Sequence, residues 1–284
     1  MCFQLKDTLE KIFRCWDRDN NKKMIDLPIH TEAAKSVALY AGNYLLGLDL
    51  VSRSNKRLDM LIGVAIKRLL GEETPFPIYT EEADEPEERI KEATFWWVDP
   101  IDGTTKFNRG DKNYSISIGL VHNGTPKIGA VYQPEHGRLF YAWEGSGAHL
   151  EQVAAKSTDK TEVSRRKGKE IIGILGTTNT AEHHALYAQL GINHTRGPLG
   201  GFTAKILEII AGSSDVYIKT DARCNEWDSC AVDLLLKEAG GKMTDRHNKR
   251  LEYNQLNPNY TQGIVASNGQ EHKRLIQLLQ QQAD

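Results

Sequence analysis

Three runs between residues 113 and 152, YSISIGLVHNG, TPKIGAVYQPEHG and RLFYAWEGSG, alternate apolar and polar positions and close on Asn-Gly, His-Gly and Gly-Ser-Gly. Period-two alternation sends successive side chains to opposite faces of a strand, and glycine supplies the positive φ of tight hairpins. The segment therefore predicts an antiparallel meander with one face to be covered by helices. Two helices precede it. Residues 31–47 open on Thr31 as a cap and close at Gly47. Residues 55–70 put Leu58, Leu61, Ile62, Ala65, Ile66, Leu69 and Leu70 on a wide apolar face. Ile78-Tyr79, inside PFPIYTEEADEPEE, and TFWWV at 94–98 have the size of short buried strands. Residues 3–16 carry Phe3, Leu9, Ile12, Phe13 and Trp16 at roughly helical spacing, followed by the polar break DRDNNKK.

After the meander, the polar stretch 151–169 marks a lobe boundary. Beyond it the pattern predicts strands at 171–175, 214–218 and 263–267, and helices at 180–190, 201–212, 227–239 and 270–281. The chain thus reads as α/β (α+β), without internal repeat. A helix-on-antiparallel-sheet lobe over 1–155 and an α/β lobe over 156–284 form one functional unit. Its 284 residues suffice for a sizeable core.

Composition narrows the function classes. A formal net charge of −2 gives no basic field for a nucleic acid polymer or an anionic membrane. An anionic substrate must be captured locally, by a metal or by a few placed cations. No run approaches the 18 or so uncharged apolar residues that a membrane span needs. Cys2, Cys15, Cys224 and Cys230 form no CxxC pair or zinc pattern, and the N-terminus lacks an apolar signal core. A cytoplasmic protein with reduced thiols is expected.

Three acidic features stand where an apolar segment meets a turn: Glu81-Glu82, Asp99 with Asp102 in DPID, and Asp228 at a helix start. Singly they are ordinary, as a solvated charge run, an Asp-Pro/Asp-Gly turn signal and a helix N-cap. Together, carboxylates at strand ends and helix starts can converge. Four or more without basic partners repel one another, and a divalent cation is the usual remedy. Oxygen-only ligation suits Mg2+ or Mn2+. The Gly-Thr-Thr behind Asp102 offers backbone N–H groups to an anion.

The ordered set TEE (80–82), WVDPIDGTTKF (97–107) and WDSCAVDLLLKEAGG (227–241) resembles the signature of the inositol monophosphatase superfamily, over about residues 30–270. The resemblance implies a layered αβαβα sandwich with the site between the lobes. It further implies an Mg2+-dependent, Li+-inhibited phosphomonoesterase with two or three Mg2+ (or Mn2+) ions. The partner would be a small-molecule phosphate ester, and the enzyme a monomer or homodimer. By position, Glu81, Asp99, the Ile101 carbonyl, Asp102 and Asp228 would ligate metal. Gly103 and Thr104 would hold the phosphate through backbone N–H groups, the Thr104 hydroxyl would orient the attacking water, and Glu82 would join the catalytic acids.

One motif departs. The family usually has Val-Thr-x-x-Asp ahead of the Glu-Glu pair, its aspartate bonding the threonine of the Asp-Gly-Thr segment. Here Val51-Ser52 is followed by Asn55 at the aspartate's position. Asparagine keeps a hydrogen bond but carries no negative charge. Three readings compete: a substitution introduced to slow turnover, which is preferred; a naturally weak or inactive phosphate-binding pseudoenzyme; or Asp59, one helical turn on, serving instead.

Substrate signals point two ways. Lys205, in GGFTAKILEIIAG, and the WDSCA sequence are similar to the bisphosphate branches, in which a cation here would bind a second, non-reacting phosphate. The competing reading of Lys205 is a surface lysine on an amphipathic helix. DGTTKF resembles the monophosphatase form, and Arg165, Arg166 and Lys167 form a basic patch that more often is a solvated loop. The leading expectation is a 3'(2'),5'-bisphosphate nucleotidase converting 3'-phosphoadenosine 5'-phosphate to AMP and phosphate. An inositol polyphosphate 1-phosphatase or inositol monophosphatase is the runner-up, and a sugar-bisphosphate phosphatase shares the metal logic.

Overall fold

A computed structural model describes residues 25–53, 57–83, 87–177, 180–221 and 224–281. The N-terminal run 3–16, with Cys2 and Cys15, and Asn55 lie outside the described residues.

Helix α1 spans Leu27–Leu46 and starts earlier than Thr31. Its cap is Asp26, whose carboxylate accepts the Ile29 N–H at 3.1 Å, with Pro28 in the first turn. Thr31 lies inside the helix and donates its hydroxyl to the Leu27 carbonyl at 2.7 Å. After the short α2 (Leu50–Arg53), helix α3 spans Leu58–Glu73 and buries Leu58, Ile62, Ile66 and Leu70. Together α1 and α3 cover one face of a seven-stranded sheet.

That sheet runs in chain order: β1 (Ile78–Thr80), β2 (Thr94–Asp102), β3 (Ser115–His122), β4 (Thr125–Gln133), β5 (Arg138–Trp143), β6 (Ala148–Gln152) and β7 (Ser157–Thr161). β1 pairs with β2 in parallel, and the remaining neighbours are antiparallel. The predicted meander is therefore β3 to β6. Asn123 and Gly124, at φ 49° and 68°, make the first hairpin turn. The sheet continues through the polar edge strand β7, so it ends at Thr161, past the expected boundary at 155.

TFWWV lacks alternation because β2 is buried on both faces: Trp96 enters the core under α1 and α3, while Trp97 enters the core on the opposite side. The strand also runs on to Asp102 instead of turning at Asp99-Pro100. The register shifts between Asp99 and Asp102, so the proline sits at a bulge, where its missing N–H removes no ladder bond.

Chain order continues with α4 (Thr104–Phe107), β8 (Ile172–Gly176), α5 (Thr180–Gln189), β9 (His194–Leu199), α6 (Phe202–Ile210), β10 (Val216–Lys219), α7 (Glu226–Glu238), β11 (Lys242–Thr244), β12 (Ile264–Ser267) and α8 (His272–Gln281). The second sheet has the order β11-β12-β10-β8-β9. Helices α6 and α7 lie between the two sheets in one shared core, and α5 and α8 cover the outer face of the second sheet around Tyr187, Leu275 and Ile276. The layers are thus αβαβα. Strand β9, HTRGPL, is an exposed edge whose Gly-Pro and polar residues carry no strand signal.

Helix α7 sits unusually close to the first sheet. Gly119 and Gly129 are register partners on β3 and β4. A Cβ at Gly119 would lie 2.6 Å from Cys230 Sγ, and one at Gly129 would overlap the Ala231 carbonyl. The two glycines make the flat surface on which α7, and with it Asp228, is seated.

Candidate metal and phosphate site

Three carboxylates from two elements, β2 and α7, meet at the C-terminal end of β2. Oxygens of Asp99, Asp102 and Asp228 lie within 4.8 Å of one another. Asp99, just before the bulge, accepts the Ile101 N–H at 3.0 Å and is 1% exposed. Asp102, past the bulge, accepts the N–H groups of Phe202 and Thr203 at 3.2 and 3.1 Å, the first turn of α6. That helix's positive end thus supports the carboxylate's charge. Asp228, in the first turn of α7, accepts the Asn225 N–H at 2.7 Å in a reciprocal capping box. Glu81 follows β1, held by its N–H to the Val98 carbonyl at 3.2 Å, and shares a hydrogen bond with Asp99.

The electrostatics follow from this crowding. Burial, then the charge of Glu82, raises the Glu81 carboxyl to about 7. Burial also raises Asp228 to about 7, with Asp102 and Glu81 adding to the shift. Asp99 is pushed well above the usual carboxylate range by burial and by Glu81, Asp102 and Asp228 around it. Burial raises Asp102 too, opposed by Lys205 and by the N–H donors of α6. Four acids facing one another with so little compensating charge form a donor set suited to a hard divalent cation.

The Gly103-Thr104 turn, expected from the resemblance to hold phosphate, adjoins this cluster. Gly103, at φ +90°, caps α4, and a Cβ there would lie 3.1 Å from the Asn113 carbonyl oxygen, so glycine is required. Thr104 Oγ1 donates to the Ile101 carbonyl at 3.0 Å. It also meets the carboxylate of Asp59, on the first turn of α3, whose charged form that hydrogen bond favours against the dominant upward push of burial. One hydroxyl proton therefore has two acceptors. Glu82 stands exposed at the edge, its carboxyl raised by burial and by Asp59.

Lys205 is not a surface lysine. It is 6% exposed, its ammonium donates to the Gly201 carbonyl, and it lies 4.9 Å from the centre of the Tyr217 ring. Burial lowers it to about 8, while Asp102 pulls it back up. The basic patch splits. Arg166 is paired with buried Asp215 at 2.7 Å and donates to the Gly212 carbonyl at 2.8 Å, whereas Arg165 is exposed beside Glu162. The sequence pattern did not single out Glu226 and Arg89, two buried charges close to the acid cluster; the signal for Glu226 was its place two residues before Asp228.

Residues 46–284 match the inositol monophosphatase family. Inositol-1-monophosphatase of Bacillus subtilis is 28% identical over 190 residues, covering 66% of this chain and 68% of that protein. Fructose-1,6-bisphosphatase/inositol-1-monophosphatase of Thermotoga maritima is 31% identical over 186 residues, covering 65% and 67%. Mouse 3'(2'),5'-bisphosphate nucleotidase 1 is 30% identical over 172 residues, covering 56% and 52%. Among solved structures, inositol monophosphatase from Anabaena superposes with a TM-score of 0.71 at 25% identity, over 90% of this chain and 97% of its own. No helix among the described residues is long and apolar enough to cross a membrane. With the layers and the acid cluster in place, this chain belongs to the inositol monophosphatase family and is a phosphatase of that superfamily.

Proposed function

We propose that the chain is a Mg2+-dependent hydrolase of small bisphosphates, with 3'-phosphoadenosine 5'-phosphate as its leading substrate. The observation that carries this reading is Lys205, a buried ammonium beside Asp102. A lysine held there without a full carboxylate partner has a use when a second, non-reacting phosphate arrives. Inositol phosphates remain the second reading, because relatives of comparable identity include inositol monophosphatases.

Glu81, Asp99, the Ile101 carbonyl, Asp102 and Asp228 would hold the ions. When bound, these would supply Lewis acidity, lowering the pKa of water and neutralising the phosphate and the leaving oxygen. The chain's own residues do the positioning. The Gly103 and Thr104 N–H groups bind the phosphate oxygens, and Lys205 fixes the distal phosphate. Asp59 accepts the Thr104 hydroxyl proton, which leaves Thr104 Oγ1 free to accept from the attacking water and orient it. Glu82 adds negative potential at the edge, and this like charge raises the proton affinity of Asp59 as the acceptor in that relay. Asp59 thereby takes the part that the motif position of Asn55 leaves without a charge, and a catalytically silent phosphate binder is not needed to explain the chain.

Steady-state kinetics on 3'-phosphoadenosine 5'-phosphate, inositol 1,4-bisphosphate and inositol 1-phosphate test the substrate. A tenfold preference for inositol 1-phosphate, about 1.4 kcal/mol of barrier, overturns the nucleotidase reading. The same assay on Asp59→Asn and Asn55→Asp tests the relay. Asp59→Asn is expected to lose 30-fold or more, on the order of 2 kcal/mol, while Asn55→Asp stays within about threefold. The reverse pattern would return the role to position 55.

A further inference from the structure

The metal carboxylates are delivered by three segments: the β1 end with Glu81, β2 with Asp99 and Asp102, and the α7 start with Asp228. A fully buried carboxylate, Glu226, sits on the α7 turn that carries Asp228, bonds to β2 and lies near Arg89. It accepts the indole N–H of Trp97, two residues before Asp99, at 2.9 Å. It accepts the backbone N–H of Asn254 at 2.5 Å and of Gln255 at 2.7 Å. Its Oε2 lies 3.9 Å from Arg89 Nη1, on the turn Glu87–Lys91 that follows the Glu81 loop. Arg89, itself 4% exposed, donates to Asn254 Oδ1 at 2.8 Å and the Gln255 carbonyl at 2.7 Å. Its guanidinium also lies 4.8 Å from the centre of a Trp97 ring. Glu226 is two residues from Asp228 on the same helix turn.

The Glu226–Arg89 attraction by itself is a weak reason for burying two charges, since buried ion pairs repay little of their desolvation. What the hydrogen bonds add is direction. A carboxylate accepting three N–H groups locks its own orientation and that of the helix turn carrying it. A metal site needs its donors held to about half an ångström by such supporting bonds. We propose that Glu226, tied to Trp97, Arg89 and the 254–255 backbone, is a positioning residue that sets the spacing of the metal-binding carboxylates without touching metal or substrate. This inference rests on the divalent-cation reading of the acid cluster.

Mn2+ binding followed by electron paramagnetic resonance on the full chain, without substrate, tests it. Glu226→Gln keeps the shape and removes the charge; Glu226→Asp keeps the charge and withdraws it by one methylene. Both are expected to weaken Mn2+ binding at least tenfold. Tyr187→Phe, which deletes a buried hydrogen bond to the Ile174 carbonyl on the α5 side, serves as a control for general destabilisation and should leave Mn2+ affinity within twofold. If Glu226→Gln does not fold, Glu226→Asp and Trp97→Phe carry the test. A folded Glu226 variant that binds Mn2+ like the parent overturns the inference, as does an equal loss in Tyr187→Phe. A parent chain that binds no Mn2+ overturns the underlying cation reading instead.

Discussion

Asp215 and Asp99 are each 1% exposed, yet their surroundings are opposites. Asp215 is saturated: it accepts from Arg166 Nε at 2.7 Å, the Ile172 N–H at 2.8 Å, Asn268 Nδ2 at 3.0 Å and the Ser164 hydroxyl. Asp99 accepts the Ile101 backbone N–H and otherwise faces Glu81, Asp102 and Asp228. Burial is the same in the two places; the supply of donors and cations is not. The first arrangement closes a joint between the lobe connection and the second sheet. The second is stable as a set of anions only when a cation from outside completes it.

The largest expected break in this comparison is functional. Asp99→Asn should cut turnover by a thousandfold or more, about 4 kcal/mol, while the metal-free chain melts no lower than the parent, because one mutually repelling charge is gone. A clear fall in the metal-free melting temperature would put Asp99 in the same class as Asp215. Next comes Asp215→Asn, which leaves Arg166 without its anion and should lower stability by about 3 kcal/mol in denaturant unfolding, with Mn2+ affinity retained. A loss below about 1 kcal/mol would erase the distinction from the other side.

A third expectation concerns pH. Glu81 and Asp228 titrate near about 7 in the folded, metal-free chain, above the ordinary values of 4.5 and 3.8 that apply when unfolded. Between those limits the folded state holds more protons than the unfolded one, so stability falls as pH rises through this window. Added Mg2+ should therefore raise the melting temperature more at pH 8 than at pH 5, and an equal gain at both would contradict it. The smallest effect belongs to Arg165→Ala. Its exposed pair with Glu162 predicts stability within about 0.5 kcal/mol of the parent and unchanged selectivity among the three phosphate esters.

The sequence made the acid cluster readable because each acid stands at a junction between an apolar run and a turn. It also marked the meander, since hairpins are local. Other features depended on contacts that spacing does not encode. Asp59 reaches Thr104 only because α3 begins at Leu58, which turns its first residues toward the end of β2. Glu226 is satisfied by backbone groups 28 and 29 residues away. The polar strands β7 and β9 exist by pairing with neighbours, against their own composition. Lys205 looked ambiguous because an amphipathic pattern does not say which long side chain folds back under a neighbouring ring.

The seating of α7 on Gly119 and Gly129 has a consequence for how variants of this chain should be interpreted. Any side chain at either glycine would pry the helix off the sheet, and the shift would be transmitted along a rigid rod to Asp228. A mutational screen would register such a lesion as a defect of the acid cluster, although the altered residue is not part of it. The placement of an acid thus depends on two positions that contribute no side chain at all.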